Sequence, residues 1–147
     1  MLQNIKNDLM YLLNILESIE KIQLYSMGCA DAETFFEMNN QLNFNGALNL
    51  FTNIGENITK ISDELKRIYA SVDWKQIKGF RNMVVHDYVN IDTFKVFDII
   101  VNDLEPLKKY ITNIISTELK KNNFDIEEYN EAKKSFYYRH IDFNKII

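Results

Sequence analysis

Apolar residues recur at every third or fourth position along most of this chain, which is the spacing of one buried helix face. The first run contains Leu2, Ile5, Leu9, Leu12, Leu16 and Ile19. The second extends over about seven helical turns and contains Phe44, Ala47, Phe51, Ile54, Ile58, Ile61, Leu65 and Ile68. The third contains Phe94, Phe97, Val101, Leu104, Leu107, Ile111 and Ile114. The pattern therefore predicts long amphipathic helices.

Glycine and proline are scarce, which supports the same conclusion. The chain has four glycines and one proline in 147 residues, whereas sheets need many turns built from these residues. Met27-Gly28 is typical of a helix stop, and Asp73 and Asp92 are typical N-caps, the first with Gln76 at the third helical position. The sequence predicts an all-α fold, an up-and-down bundle of four main helices with additional short helices.

Three local features refine this prediction. A short helix is expected around Asp31–Asn39, between the first two long helices. Gly55 lies inside the second apolar run, where glycine costs about 1 kcal/mol relative to alanine, so it is expected to allow close approach of a neighbouring helix. Pro106 lies inside the third run and is expected to bend that helix or loosen one hydrogen bond.

The C-terminal part of the chain is more polar than the rest. We therefore divide the chain into a helical domain at 1–117 and a C-terminal helical extension or tail at 118–147. The tail contains Arg139-His140 beside Tyr137 and Tyr138. Two interpretations stay open: a terminal helix with scattered polar groups, or a segment that adds contacts to RNA or to a protein partner.

Charge and cysteine content exclude some classes of protein. The net charge is −4, whereas a protein that binds nucleic acid only through its overall field would be basic. Any RNA contact must then use a local patch. The single cysteine, Cys29, cannot form an internal disulfide and fits a reducing cytosol. No signal peptide is visible, and no apolar run approaches the ~20 residues of a membrane span, so the expected location is cytoplasmic.

The stretch GFRNMVVHDYVNID, at 79–92, concentrates polar side chains within an apolar segment. On an α-helix Asn82 and His86 share a face, and so do Arg81 and Tyr88, because they are four and seven residues apart. Arg81 and His86 are offset by about 140°. One ideal helix cannot present them as a close pair, so either the helix breaks near His86 or a second copy of the chain completes the site.

This combination of side chains suits RNA cleavage without a metal. Such cleavage must activate the 2′-OH, protonate the leaving 5′ oxygen and stabilise charge on a five-coordinate phosphorus. The pKa of a histidine such as His86 lies near neutrality, which suits proton transfer, and the planar guanidinium of Arg81 suits the phosphoryl charge. A two-fold dimer would supply both an acid and a base. Within one chain, His140 is the alternative second histidine.

The structural alternative is that these groups have no chemical role. Arg81 would be a solvated charge, His86 and Tyr88 would lie at the edge of the core, and Asn82 would be an exposed helix residue. No H-E-x-x-H, paired CxxC or Walker sequence is present, so the sequence predicts neither a metal site nor a cofactor.

A resemblance to a known family favours the chemical interpretation. RNMVVHDY resembles the R-X4-H-X-Y motif of the HEPN superfamily, specifically the HepT (DUF86-like) toxins. FTNIGENITKISDEL is similar to the family's helix with an I-G-E element, and FDIIVNDLEPLKKYI resembles its last helix. VDWKQIKGFRNMVVHDYVNID follows the family pattern nearly throughout. The resemblance covers about residues 1–115.

The resemblance implies an all-helical homodimer with metal-independent ribonuclease activity at a composite interface site. It implies that Arg81 and His86 are catalytic, with Asn82 matching the polar residue that commonly follows the arginine. Tyr88 matches the tyrosine that the MntA-type nucleotidyltransferase antitoxin adenylylates in type VII toxin–antitoxin systems. The expected partners are thus a second copy, RNA and a minimal nucleotidyltransferase. The alternative is an inactive HEPN dimer that serves as scaffold or substrate-binding partner of the nucleotidyltransferase.

Overall fold

The computed structural model describes residues 5–82 and 91–147, and every regular element within these ranges is helical. The α-helices are α1 (Asp8–Tyr25), α2 (Ala32–Glu37), α3 (Leu42–Lys60), α4 (Asp63–Ile68), α5 (Trp74–Lys78), α6 (Thr93–Asn102), α7 (Leu104–Lys120) and α8 (Ile126–Lys134). Short 3-10 helices cover Met38–Gln41, Gly79–Arg81, Phe136–Tyr138 and Phe143–Lys145. The all-α prediction is confirmed.

The helix α1 runs antiparallel to both α3 and α7. The start of α1 contacts the residues after α3, because Asp8 accepts hydrogen bonds from Ser62, whereas the carbonyl of Tyr25 at the end of α1 accepts one from Asn43. α7 is also antiparallel to α1. Its first turns bond to the last turns of α1, through Gln23 to Glu105 (3.0 Å) and Glu20 to Lys108 (2.8 Å).

One hydrophobic core joins all the long helices. The core also includes five residues from the predicted tail, which are buried together with residues of the three apolar runs. They are Phe124, Tyr129, Ala132, Ile141 and Ile146. The ring of Tyr129 is fully buried and packs edge-on against Phe143 at 5.5 Å. The predicted boundary at residue 117 falls inside α7.

The second apolar run is not one helix, contrary to the prediction. α3 ends at Lys60, and Ile61 has an extended backbone. Ser62 then caps α4 by accepting from the backbone N–H of Leu65, while its own N–H and hydroxyl donate to the buried carboxylate of Asp8. The apolar spacing continues across the break, but this distant hydrogen-bonding partner ends the helix.

The third apolar run is also interrupted, and two of its residues are not in the core. α6 ends at Asn102 and α7 begins at Leu104, which places Pro106 in the first turn of α7, where its missing N–H has no intrahelical partner to lose. The interruption is confined to Asp103, which keeps a helical backbone (φ −106°, ψ −27°), donates its N–H to the carbonyl of Ile99 (2.8 Å) and accepts from the N–H of Leu107 (3.2 Å). It therefore agrees with the predicted bend or loosened hydrogen bond. Phe94 and Val101 are 74% and 58% exposed, because α6 turns its other face inward, with Val96, Ile99 and Ile100 buried.

The local signals behave as expected. Gly28 has a left-handed backbone (φ 81°) shortly after the end of α1 at Tyr25. Asp92 accepts a hydrogen bond from the backbone N–H of Lys95 and caps α6. The short helix predicted around residues 31–39 is α2, capped by Asp31.

Candidate functional site

Arg81 lies on a tight helical turn that follows α5. Asp73 caps α5 by accepting from the backbone N–H of Gln76 at 3.0 Å, as predicted. The prediction that this α-helix carries the whole motif is wrong at its start, since α5 ends at Lys78 and Gly79–Arg81 forms a 3-10 helix. Gly79 favours this change because glycine lowers the preference for α-helix. Successive side chains here are therefore about 120° apart rather than 100°.

The neighbouring residue Phe80 determines which way Arg81 points. Phe80 is buried and its ring packs edge-on against Phe51 of α3, with centroids 5.3 Å apart. The next side chain along the turn therefore emerges toward the surface, beside α3. The buried ring of Phe80 thus determines the direction of the Arg81 side chain.

Gly55 of α3 lies directly beneath the backbone of Arg81. A Cβ atom added at Gly55 would lie 2.6 Å from the Cβ of Arg81, 2.7 Å from its backbone nitrogen and 3.0 Å from the carbonyl of Lys78. Real side chains do not approach backbone atoms this closely. The predicted close approach at Gly55 is confirmed, and the segment that approaches is the one carrying the arginine.

Within residues 5–82 and 91–147, the guanidinium of Arg81 forms one loose ion pair. Its Nη1 atom lies 3.9 Å from Oε1 of Glu56, and the two side chains are 35% and 52% exposed. Exposed ion pairs of this kind contribute between zero and about 1 kcal/mol, because water screens them. A phosphate that offers two oxygens can therefore replace Glu56 as the partner of the guanidinium.

Of the other predicted site residues, the structure describes Asn82 but not His86 or Tyr88. Asn82 follows Arg81 and is exposed, which agrees both with an RNA-contacting group and with the exposed helix residue of the structural alternative. His86 and Tyr88 lie in 83–90, outside the described residues. The predicted proximity of Arg81 to a histidine, within one chain or across a dimer, stays a prediction.

A polar network between α1 and α3 was not predicted from the sequence. Asn14 donates to the side chain of Asn57 (3.0 Å), Asn57 donates to the carbonyl oxygen of Asn53 (2.8 Å), and Asn53 donates to the hydroxyl of Ser18 (2.7 Å). The sequence signal that could have revealed the network is the spacing of its members. Asn14 and Ser18 are four residues apart on α1, and Asn53 and Asn57 are four residues apart on α3, so each pair shares one helix face.

The tail is attached to this network. The hydroxyl of Tyr138 donates to Oδ1 of Asn14 at 2.7 Å, and burial raises the pKa of Tyr138 to about 12, which keeps the hydroxyl protonated as a donor. His140 bonds to the buried carboxylate of Glu17 twice, through its backbone N–H (2.9 Å) and its ring Nδ1 (2.5 Å). These contacts hold the tail against α1.

The described residues do not meet the requirements of a metal site with three or more ligands or of a membrane-spanning helix. Within 5–82 and 91–147 there is no group of three or more His, Cys, Asp or Glu side chains arranged to hold a metal ion. In the same ranges, no helix has the length and apolar character needed to cross a membrane.

Comparison with known proteins identifies a family. The family described as Ribonuclease HepT-like matches residues 15–114, a segment that contains Gly55, Glu56, Arg81, His86 and Tyr88 and ends before the tail. No solved structure matches the chain significantly.

The chain is similar to several named proteins. It is 26% identical over 126 residues to the "Gamma-glutamylcyclotransferase and putative RNase" of Methanocaldococcus jannaschii, covering 84% of this chain and 55% of that protein. It is 26% identical over 65 residues to a "Putative RNase" of Caldanaerobacter subterraneus, covering 44% and 58% respectively. It is 24% identical over 98 residues to the "Probable ribonuclease HepT" of Thermococcus cleftensis, covering 67% and 86%. The chain thus spans little more than half of the first two relatives.

Proposed function

The chain belongs to the HepT-like ribonuclease family, and from this premise we propose that it is a metal-independent endoribonuclease, the toxin of a type VII HepT/MntA toxin–antitoxin system. The observation that supports this proposal best is the placement of Arg81. A glycine in α3 admits the arginine backbone, and among the residues that the structure describes the guanidinium has a weak, exchangeable partner in Glu56. The close approach at Gly55 supports the proposal more than the weak pairing does, because a solvated arginine without a chemical role would also be weakly paired.

The proposed reaction is an in-line transfer at one phosphate. A base removes the proton of the 2′-OH, the 2′ oxygen forms a bond to phosphorus, and the bond from phosphorus to the 5′ oxygen breaks. An acid gives a proton to that leaving oxygen, so the products are a 2′,3′-cyclic phosphate and a 5′-OH. His86 supplies the base or the acid, and Arg81 stabilises the negative charge on the phosphoryl oxygens.

The test is incubation of the pure protein with RNA, with and without EDTA. We expect cleavage to persist in EDTA and the product to carry a 2′,3′-cyclic phosphate, identified by mass spectrometry. Activity that EDTA abolishes and Mg2+ restores would contradict the mechanism. A protein that cleaves no RNA under either condition would fit the inactive scaffold instead.

A composite site requires a dimer, and α6 offers a surface that suits one. Phe94 and Val101 are seven residues apart, so they lie within about 20° of each other on the outer face of α6, and both are exposed. α6 begins at Thr93, directly after the motif. Contiguous exposed apolar patches mark protein–protein contacts, and these two side chains, two helical turns apart, would be the centre of such a contact. We therefore place the two-fold interface on this face.

Charge introduced on this face should separate the subunits. The double substitution Phe94→Glu and Val101→Glu is expected to convert the dimer to a monomer in light scattering at micromolar concentration, because it brings like charges together across the two-fold axis. Phe136→Glu is the control, since Phe136 is 77% exposed but lies on the tail. A monomeric wild-type protein would refute the composite site. A doubly substituted protein that stays dimeric would show that the interface lies on another surface.

Silencing is proposed to act at Tyr88. An AMP group attached to its hydroxyl would bring a bulky adenosine and a negative phosphate to the cleft. The phosphate would pair with Arg81 in place of the RNA phosphate, which the loose Glu56 contact permits. The modification would thus neutralise the local positive charge that this acidic protein needs in order to bind RNA.

Tyr88→Phe tests this mechanism because it keeps the ring and removes only the acceptor oxygen. We expect the variant to cleave RNA as well as wild type and to escape silencing by the cognate nucleotidyltransferase with ATP. Intact-mass measurement after co-expression should show AMP adducts on wild type and none at this position in the variant. Neutralisation of an unmodified wild type would favour inhibition by binding alone.

A further inference from the structure

A groove lies between α1 and α3 on the surface next to Arg81. Its volume is about 370 Å³, and side chains of α1, α3 and the tail line it: Glu17, Lys21, Asn49, Asn53, Glu56 and Tyr137. This volume is within the range of sites that hold a small ligand. The groove lining is mainly polar, which distinguishes it from an incompletely packed part of the core.

The tail supplies the aromatic side of the groove. The ring of Tyr137 is 60% exposed, and it packs edge-on against the ring of Tyr138 at 4.9 Å and 87°. Tyr138 is in turn held by Asn14, and the next residues are held by the two bonds from His140 to Glu17. Tyr137 is therefore an exposed aromatic ring on a fixed support.

The charges in the groove are largely compensated. Glu17 is bonded to His140 and lies 3.6 Å from Lys21, and Glu56 lies 3.9 Å from Arg81. A groove without a large net charge suits an uncharged heterocycle better than a row of phosphates. The exposed amide of Asn49 and the exposed carboxylate of Glu56 offer the donors and acceptors that recognise base edges.

Glu56 connects the groove to the candidate catalytic group. Glu56 lines the groove, and its Oε1 atom lies 3.9 Å from Nη1 of Arg81, which is not itself among the lining residues. We therefore expect a nucleotide whose base occupies the groove to direct its phosphate toward Arg81, past Glu56. Single-stranded RNA is commonly bound in this way, with unstacked bases on aromatic rings and phosphates on arginine.

We propose that the groove binds one base of the RNA substrate next to the scissile phosphate, with the base stacked on Tyr137. The proposal rests on the ribonuclease function proposed above and assigns a role to the C-terminal tail. The family match ends at residue 114, so the stacking ring comes from a part of this chain that the match does not include. The tail then contributes to substrate recognition rather than to proton transfer.

The test measures RNA binding in the absence of cleavage. The protein is the full chain carrying His86→Ala, and the probe is a short fluorescein-labelled single-stranded RNA titrated by anisotropy. Tyr137→Ala is expected to weaken binding by about 5- to 150-fold, the range for one base–aromatic stack. Tyr137→Phe keeps the ring and should bind within about twofold of its parent, since stacking needs no hydroxyl.

Two further variants separate stacking from a structural effect. Phe136→Ala is the matched control, because it removes the adjacent exposed ring, which contacts Arg139 rather than the groove; it should leave the affinity unchanged. Asn49→Asp changes α3 and not the tail, and it should weaken binding by about 10-fold through the added negative charge. A 2-aminopurine base in the RNA should be quenched by the parent and by Tyr137→Phe but not by Tyr137→Ala.

The outcomes distinguish this proposal from the ribonuclease proposal. Equal affinity of Tyr137→Ala and its parent, an equal loss in Phe136→Ala, or no RNA binding by the parent would overturn the groove assignment. If the RNA binds and stacks as expected but wild type does not cleave it, the base site stands and the catalytic proposal fails. If wild type cleaves RNA while Tyr137→Ala binds normally, only the base site fails.

Discussion

His86→Ala is expected to abolish RNA cleavage while leaving the fold intact. Loss of a general acid or base costs about 10²- to 10⁴-fold in rate, and a composite site loses both functions when both copies are substituted. Arg81→Ala should cost about 10²- to 10³-fold, because it removes the group that is proposed to stabilise the phosphoryl charge. Arg81→Lys should recover only part of the rate, since lysine lacks the bidentate geometry of the guanidinium.

This experiment has two controls: substitution of an arginine away from the motif, and a measurement that each variant remains folded. Arg67 is exposed on α4, so Arg67→Ala removes the same charge away from the motif and should keep full activity. Circular dichroism and light scattering should be unchanged in every variant. Persistent cleavage by His86→Ala would exclude this histidine as acid or base.

Subunit mixing determines whether the two histidines act together. Wild type and His86→Ala are unfolded together in equal amounts and refolded, which produces homodimers and heterodimers in statistical proportion. If one cleft needs a histidine from each subunit, the mixture should retain about a quarter of the wild-type activity. About half would remain if each subunit acted alone. His140→Gln in the full chain tests the within-chain alternative, which requires the His140 imidazole for turnover. Truncation before Ser135 is less selective, because it also removes Tyr137 and the buried Ile141 and Ile146.

Gly55→Ala is expected to reduce both stability and activity. The new methyl group would lie 2.6 Å from the Cβ of Arg81 and 2.7 Å from its backbone nitrogen, so the turn that carries the arginine must move. Overpacking of this kind costs about 1–3 kcal/mol of unfolding free energy. A shift of about 1 Å in a catalytic group can cost about 100-fold in rate. Thermal unfolding and initial rates of RNA cleavage measure the two effects.

Gly46→Ala is the matched control on the same helix. An added Cβ at Gly46 would meet only the ring of Tyr25, at 3.2 Å, and the outer edge of a half-buried ring can shift by that small distance. The gain in helix preference, about 1 kcal/mol, offsets the contact, so stability and activity should change little. A Gly55→Ala protein that matched Gly46→Ala in both measurements would show that Arg81 does not depend on this contact.

Several parts of the fold could be predicted because their cause lies within a few residues of sequence. The caps at Asp73 and Asp92 each need only a side-chain oxygen and a backbone N–H three residues later. Gly28 marks the end of α1 because it alone can adopt the left-handed backbone without strain. The apolar spacing in turn predicts helices because it reports directly on one repeating backbone geometry.

The sequence by itself thus determined the helical class, the end of α1, the starts of α5 and α6, and the family to which the motif belongs. Only the tertiary structure decided that Asp8 binds Ser62, 54 positions away and just after the end of α3, that Gly55 admits Arg81, and that the tail lies beside the α1–α3 groove. It also turned Phe94 and Val101 outward, although their spacing is that of a core face. The physical reason is that such contacts join residues far apart in the chain, so no local periodicity records which side chains will meet.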